Sequence, residues 1–317
     1  MPYWLILNLY MSNILITSKI NPDLDGFACV YAYSRLLAKQ GQNVTGSIFG
    51  IPHVEAQYII DRFHIDNINY SPHGFFESFI LVDTSDISGM PNIVRTKDVI
   101  EVIDHRKVHI TDELFPNAKI QIEKVGASAT QIIERYQKAN IQIDEKSAIL
   151  LYSAIYSNTL NLKATISTQR DRKAIDWLQK QALIPNDLIH DMFIAKTEAT
   201  KEHLEKVLHS DYKEFLFNSR RIGIVQLEVI QLNTLVQNYL DQILAVLNDL
   251  KEKHSLEFIF LTAIDLEQNF NLFITDDSDS QLLLSKIFKI KFKKNIGKKE
   301  GMLLRKQVIP LLLSHLK

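Results

Sequence analysis

Acidic side chains recur in this sequence where apolar runs end, and their spacing points to a bound cation. Asp23 and Asp25 flank one residue in Asn21-Pro22-Asp23-Leu24-Asp25-Gly26, between the apolar run Ile14-Leu15-Ile16 and a helical pattern that starts at Phe27. A helix start favours one Asp at its cap, because the side chain accepts a bond from an otherwise unpaired N–H. The second Asp calls for more, most simply a cation; the alternative is one cap and one turn residue. The same event recurs twice. Residues 78–82 are apolar and end at Asp83, with Asp86 close behind; residues 99–103 are apolar and end in Asp104-His105-Arg106. In open parallel sheets, ligands gather at the carboxyl ends of the strands. Asp23, Asp25, Asp83, Asp104 and His105 are therefore expected to converge on one crevice. Carboxylates with a single imidazole suit Mn²⁺ or Mg²⁺ better than Zn²⁺, because these are harder cations.

The elements that must position these groups follow from pattern. Runs apolar on both faces predict strands covered by helices on both sides. Residues 27–40 and 52–63 read as helices and 43–49 as a second strand. Gly126-Ala127-Ser128-Ala129-Thr130 opens a helix to about residue 139. Small hydroxyl-bearing residues there can bind an anion or serve as ordinary caps. Helices are also expected over 144–157, ending at Asn158-Thr159, and over 167–179, capped by Ser167 or Thr168. Residues 185–208 carry a helical pattern with a polar middle at 196–201, which places the domain boundary there. The style then changes. Residues 211–217 and 221–227 form a hairpin pattern, 234–254 a long amphipathic helix, 256–263 a buried strand paired with 271–275, and 280–288 a helix. Residues 292–299 are strongly basic and read as a mobile loop, either solvated or attracting a phosphorylated substrate.

Composition narrows the classes. A chain of 317 residues suits two domains. With 46% apolar residues, 23% charged and a net charge of −1, nothing suggests a long nucleic-acid partner or an acidic tail. The single cysteine, Cys29, excludes a disulfide framework, fits a reducing compartment and reads as a small core residue. Residues 1–10 are apolar but too short for a bilayer span, which needs ~20 residues. They read as an edge strand or an extension ahead of Met11, so no membrane partner and a cytoplasmic location are expected.

These residues resemble the DHH phosphoesterase superfamily. Within it the chain looks most like the branch of manganese-dependent (family II) inorganic pyrophosphatases and prune-type exopolyphosphatases. The motifs are Asn21-Pro22-Asp23-Leu24-Asp25, Leu81-Val82-Asp83, Ile103-Asp104-His105, then 126–130, and 154–160 ending in Asn158-Thr159-Leu160. In the second half, 211–215, 223–226 and 305–310 match the domain associated with those pyrophosphatases. The resemblance implies an α/β fold: an N-terminal doubly wound, mainly parallel sheet over 11–195 and a smaller C-terminal domain with a mixed sheet over 201–317. It also implies domain closure about a hinge near 195–200. A homodimer is admitted.

The carry-over of site residues is partial. The family's pyrophosphatases bind two metals through two His and four Asp; the matching positions here hold Lys19, Asp23, Asp25, Asp83, His105 and Asn158. The second His of the name-giving triplet is Arg106. A protonated ammonium has no lone pair, so Lys19 would replace a cation rather than bind one. One ion of Mn or Mg is therefore expected rather than two, held by Asp25, Asp83, His105 and Asn158, with Asp104 orienting His105. Asp83, Lys19 and Arg106 are the expected catalytic groups. Arg106 can clamp phosphate bidentately but cannot act as an acid near neutral pH. Lys213, Arg305 and Lys306 are the expected phosphate clamp of the second domain. The leading expectation is hydrolysis of a small phosphoanhydride: pyrophosphate, short polyphosphate or a nucleotide. The alternatives are a phosphate- or nucleotide-binding protein without turnover and a phosphodiesterase for short oligonucleotides.

Overall fold

The computed structural model describes residues 13–66, 68–72, 74–105 and 111–315. Arg106 and residues 1–10 lie outside that set. The chain divides into two compact units between Met192 and Phe193.

The first unit holds β1 (Ile14–Thr17), α1 (Leu24–Lys39), β2 (Val44–Ile48), α2 (Val54–Phe63), β3 (Asn69–Tyr70), β4 (Ser78–Val82), β5 (Val99–Asp104), α3 (Thr111–Leu114), β6 (Lys119–Ile122), α4 (Ser128–Ala139), α5 (Glu145–Asn158) and α6 (Gln169–Gln181). The six strands are all parallel, in the order β3-β2-β1-β4-β5-β6. The chain winds outward from β1 to β3, then returns to β4 on the other side of β1. Such a reversal opens a crevice at the carboxyl ends of the two central strands. Both strands are apolar because both are sandwiched. On one face α1 packs with Phe27, Val30 and Tyr31 fully buried. On the other, Leu15, Phe79, Leu81, Val99 and Val102 meet Phe76, Val94 and Phe115. This second layer departs from the expected helices: it consists mainly of connecting segments. Gly89 and Pro91 interrupt the β4–β5 connection, and Pro cannot sit inside a helix without losing a hydrogen bond.

The second unit begins inside α7 (Leu188–Glu202). Thr197 Oγ1 accepts a bond from the Ile230 amide at 3.1 Å, and the Lys196 ammonium lies 3.6 Å from Glu228. These contacts fix the second half of α7 to this unit, so the polar stretch 196–201 is packed helix. There follow α8 (Leu204–Ser210), β7 (Tyr212–Phe217), β8 (Arg220–Val229), α9 (Leu232–Lys253), β9 (Phe258–Asp265), β10 (Phe270–Ile274), α10 (Ser278–Phe288), β11 (Phe292–Lys293), β12 (Ile296–Glu300) and α11 (Arg305–His315). The sheet order is β11-β12-β10-β9-β8-β7. It is mixed: β8 and β9 are parallel and the other pairs antiparallel. One face packs on α8 and α9 through Leu208, Leu235 and Leu247; the other packs on α10 and α11 through Leu284, Phe288 and Val308. Residues 292–299 are thus no mobile loop but an edge hairpin, β11 and β12, laid on β10. Lysines on an edge strand hide the strand pattern while discouraging further pairing.

No helix among the described residues is long and apolar enough to cross a membrane. The α10 cap gives the second unit a measurable acid sensitivity. Asp277 caps Ser280 N at 2.9 Å and pairs with Lys251. Burial alone would raise the Asp277 carboxyl, but Lys251 and Ser280 outweigh it and hold it below the ordinary carboxylate range. The folded pKa is depressed, so this stabilisation is complete above the unfolded value of about 3.9 and is lost as pH falls through the folded one. Urea unfolding of Asp277→Ala should show a loss of about 1 kcal/mol at pH 7. That difference from the parent chain should shrink as the solution is acidified below about pH 4.

Candidate metal centre

The carboxyl ends of β1, β4 and β5 bring the sequence-derived acids together. Asp23 is the α1 N-cap: its Oδ1 accepts from Gly26 N at 3.0 Å. Its Oδ2 meets the Lys19 ammonium at 2.6 Å. Asp23 therefore fills the capping role while its other oxygen faces a cation. Asp25, the second residue of the helix, is buried with 2% of its surface exposed. Asp83 follows β4 directly, equally buried, with a left-handed φ of 54°. For most non-glycine residues that conformation costs roughly 1 kcal/mol or more, and Asp is among the few that adopt it readily.

Donor atoms of Asp25, Asp83 and His105 all lie within 4.8 Å of one another. His105 Nε2 stands 3.5 Å from Asp83 Oδ1 and 3.9 Å from Asp25 Oδ2. Its Nδ1 lies 3.2 Å from the Val125 carbonyl. A carbonyl can only accept, so Nδ1 carries a proton, and in the neutral ring that leaves Nε2 as the nitrogen able to serve as a ligand. The Val125 carbonyl therefore orients the ring. The Asp104 carboxylate accepts from the His105 backbone amide at 2.7 Å. Two ligands on opposite sides of one Mn²⁺ or Mg²⁺ stand about 4.2 Å apart, so this donor set fits one hard cation with little adjustment.

Asp83 faces two ways. Its Oδ1 accepts from Ser128 Oγ at 3.1 Å, on the His105 side, while its Oδ2 lies 4.0 Å from the Lys19 ammonium. Asn158, the last residue of α5, donates Nδ2 to Asp25 Oδ2 at 2.8 Å and sits 3.4 Å from His105 Nε2. Asp25 also accepts from Ser128 N at 2.7 Å and Ala129 N at 2.8 Å. The small-residue helix start at 126–130 therefore does bind an anion, and the anion is this protein's own Asp25. Cys29 Sγ lies 3.5 Å from the same carboxylate; burial first, and then Asp25 and Asp83, push its thiol well above the ordinary range.

The remaining sequence-derived residues belong to the second unit. Lys213 is exposed on β7. Arg305 opens α11 with its guanidinium turned inward: it donates to Asp211 Oδ1 at 2.8 Å, to the Asp211 carbonyl and to the Ile224 carbonyl at 3.2 Å. Lys306 is exposed, yet desolvation of its ammonium holds the pKa below the ordinary lysine range, with Glu228 pulling the other way. Arg106 lies outside the described residues.

Comparison with known proteins accounts for both units. Residues 13–155 match the DHH family, N-terminal domain, and residues 190–315 match the DHHA2 domain. The chain belongs to the DHH superfamily. It is 28% identical over 309 residues to a Clostridium acetobutylicum protein named "Probable manganese-dependent inorganic pyrophosphatase", covering 95% of this chain and 97% of that one. It is 27% identical over 306 residues to the manganese-dependent inorganic pyrophosphatase of Bacillus subtilis, covering 95% and 98%. The fold superposes with a TM-score of 0.69, at 25% identity, on a Methanococcus jannaschii protein assigned as a family II inorganic pyrophosphatase, covering 96% of this chain and 99% of that one.

In this DHH-superfamily chain one supporting residue escapes the motifs. Asp171, fully buried in α6, accepts from Gly126 N at 3.0 and 2.9 Å, from Thr130 Oγ1 at 2.5 Å, and from Thr168 N and Oγ1 at 2.6 and 2.7 Å. It completes a capping box with Thr168 and clamps the turn whose next amides hold Asp25. A Cβ on Gly126 would stand 2.4 Å from Thr159 Cγ2 and 2.8 Å from Asp171 Oδ2, so only glycine fits beside the clamp. Its sequence signal was Thr168-x-x-Asp171, which announces a helix cap and nothing more. Asp171→Asn turns an amide towards donors that need an acceptor. Each buried donor left unsatisfied costs about 1–3 kcal/mol. Chemical denaturation should register a loss of roughly 2–4 kcal/mol, with weaker binding of Mn²⁺ in the fraction that remains folded.

Proposed function

We propose that this protein is a metal-dependent phosphoanhydride hydrolase of the pyrophosphatase or exopolyphosphatase type, with one Mn or Mg ion rather than two. The observation that carries the reading is the convergence of Asp25, Asp83 and His105 donor atoms within 4.8 Å at the carboxyl ends of three strands. The names of the relatives, which cover nearly their whole length, point to the same substrate class.

Asp25, Asp83, His105 and, through its amide oxygen, Asn158 would hold the ion. When bound, such an ion supplies Lewis acidity to a phosphoryl oxygen and lowers the pKa of a water molecule. Lys19 does the work of a second cation. Its ammonium neutralises Asp23 and faces Asp83 from the side opposite His105, so three carboxylates share a site without an excess of repulsion. It also offers hydrogen-bond donors to a phosphoryl oxygen. Arg106 replaces an acid–base histidine with a permanent cation that can grip phosphate through two parallel bonds. Lys213 and Lys306 supply exposed ammonium groups for the distal phosphate. Arg305 contributes only the N–H groups left over from Asp211 and the two carbonyls. This division of labour favours short polyphosphate or another phosphoanhydride over strict pyrophosphatase chemistry.

A second reading, binding without turnover, rests on Asn158. The amide turns Nδ2 towards Asp25, because its oxygen would be repelled by the carboxylate. Rotation is needed before Oδ1 can serve as a ligand, and a neutral ligand attracts a dication less than a carboxylate does.

Phosphate release from pyrophosphate and tripolyphosphate, assayed with Mn²⁺ and with Mg²⁺, decides between the readings. Turnover should fall to background in Asp83→Ala. Asn158→Asp should tighten Mn²⁺ binding by about tenfold, read by titration calorimetry. Lys19→His combined with Asn158→Asp should raise the bound metal from one ion per chain to two and increase turnover. Ligand-induced stabilisation with no phosphate release at any metal concentration would leave only the second reading.

A further inference from the structure

The lysine-rich segment at 291–299 remains unexplained by the metal centre, and its place in the fold gives it a shape. Residues alternate sides along a strand, and paired residues share a side. The pairs Leu272↔Lys298, Ile274↔Ile296 and Lys293↔Ile296 therefore put Lys293, Ile296 and Lys298 on the same sheet face as Leu272 and Ile274. That face is the one α9 covers. Between the first half of α9 and the edge strands lies a cleft of about 640 Å³, lined by Asn233, Val236, Gln237 and Leu240 on the helix and by Leu272, Ile296, Lys291, Lys293 and Lys298 on the sheet side. The helix residues are spaced i, i+3, i+4, i+7, so they form one stripe: an apolar row, Val236 and Leu240, beside an amide row, Asn233 and Gln237.

We infer that this cleft is a binding site for a soluble amphiphilic anion: a hydrocarbon or aromatic body ending in a carboxylate, sulfonate or phosphate. Three features fit that class. The floor is apolar, with Leu272 and Val236 nearly fully buried at its base. The volume lies in the range of small-molecule pockets, about 300–1,000 Å³. The rim is cationic, and it divides its labour. Lys298 is already engaged, with its ammonium 4.3 Å from the Phe270 ring centroid and 3.0 Å from Glu300. Lys291 and Lys293 have no acidic partner among the described residues, so their charge is available to a ligand. Guarding a sheet edge accounts for lysines but not for an apolar floor between them and a helix.

The cleft is separate from the expected phosphate clamp. Lys213 lies on β7 and the Arg305 guanidinium is anchored to Asp211 and Ile224 beside it, whereas the cleft lies at β11, the opposite edge of the six-stranded sheet. The cleft's sheet-side lining on β10, β12 and β11 lies three to five strand spacings from β7, about 14–24 Å. The inference therefore stands whether or not the chain hydrolyses phosphoanhydrides.

Fluorescence titration of the full chain with anilinonaphthalene sulfonate tests it. One saturable site per chain is expected. Dodecanoate and dodecyl phosphate should displace the probe, while dodecanol (chain without charge) and inorganic phosphate (charge without chain) should not at equal concentration. The variant Lys291→Gln with Lys293→Gln should bind about tenfold more weakly. Leu240→Gln, with circular dichroism unchanged, should weaken it independently. Asp83→Ala should bind the probe as the parent does, which separates this test from that of the metal centre. Displacement by inorganic phosphate alone, or affinity unaltered by both cleft variants, would overturn the inference. So would sedimentation with anionic phosphatidylglycerol vesicles unaccompanied by saturable binding of the soluble probe, since the cations would then be reading a surface.

Discussion

The carboxylate of Asp25, held by the first amides of α4, is the interaction on which the first unit's chemistry depends. A buried carboxylate is costly unless its oxygens are bonded, and a helix N-terminus offers both N–H donors and a favourable dipole. Ser128 N and Ala129 N supply those bonds. The same helix start sends Ser128 Oγ to Asp83 and leaves the Val125 carbonyl beside His105. One turn thus fixes three groups that come from β1, β4 and β5. Asp171 fixes the turn in its own right, from a helix that never approaches the acids in sequence. Moving that turn would disturb all three donors at once.

Charge balance then divides the site into two halves. The Asp23 side is closed by Lys19, an internal cation that no chelator removes. The Asp25 side is served by helix amides and by the Asn158 amide, all neutral. Neutral donors ease the burial of one carboxylate but do not neutralise Asp83 as well. The residual negative potential is what favours a divalent ion there, and Asn158 is the adjustable member, able to offer N–H or oxygen according to what stands before it. A site with a neutral amide in place of a further carboxylate attracts a dication less strongly.

The second unit obeys different constraints. Its sheet is covered on both faces by helices, and its cationic residues are sorted by packing. Arg305 is consumed in tying the start of α11 to β8 and to Asp211, while the lysines stay at the surface. Basic residues that look equivalent in the sequence therefore differ in what they can offer an anion. A fold held in common with pyrophosphatases does not by itself fix the reaction; the chemistry follows from the groups each site presents.

Much of this was readable without coordinates. The apolar runs that lead to Asp23, Asp25, Asp83 and His105 announced a parallel sheet with these side chains gathered at its strand ends, because strand period and burial leave a direct mark on residue type. What Lys19 and Asn158 can offer was equally plain, since the identity of a side chain limits its charge and its lone pairs. The rest required the chain to be folded. Asp171 and Val125 act through contacts distant in sequence, and one of them acts through a backbone carbonyl, which every residue possesses. The lysine segment concealed an edge strand, because an exposed strand need not be apolar on either face. The turning inward of Arg305, and the cleft beside Lys291 and Lys293, were decided by strand register and helix packing. Sequence determines what each group can do; three-dimensional neighbourhood decides which of those capacities is already occupied.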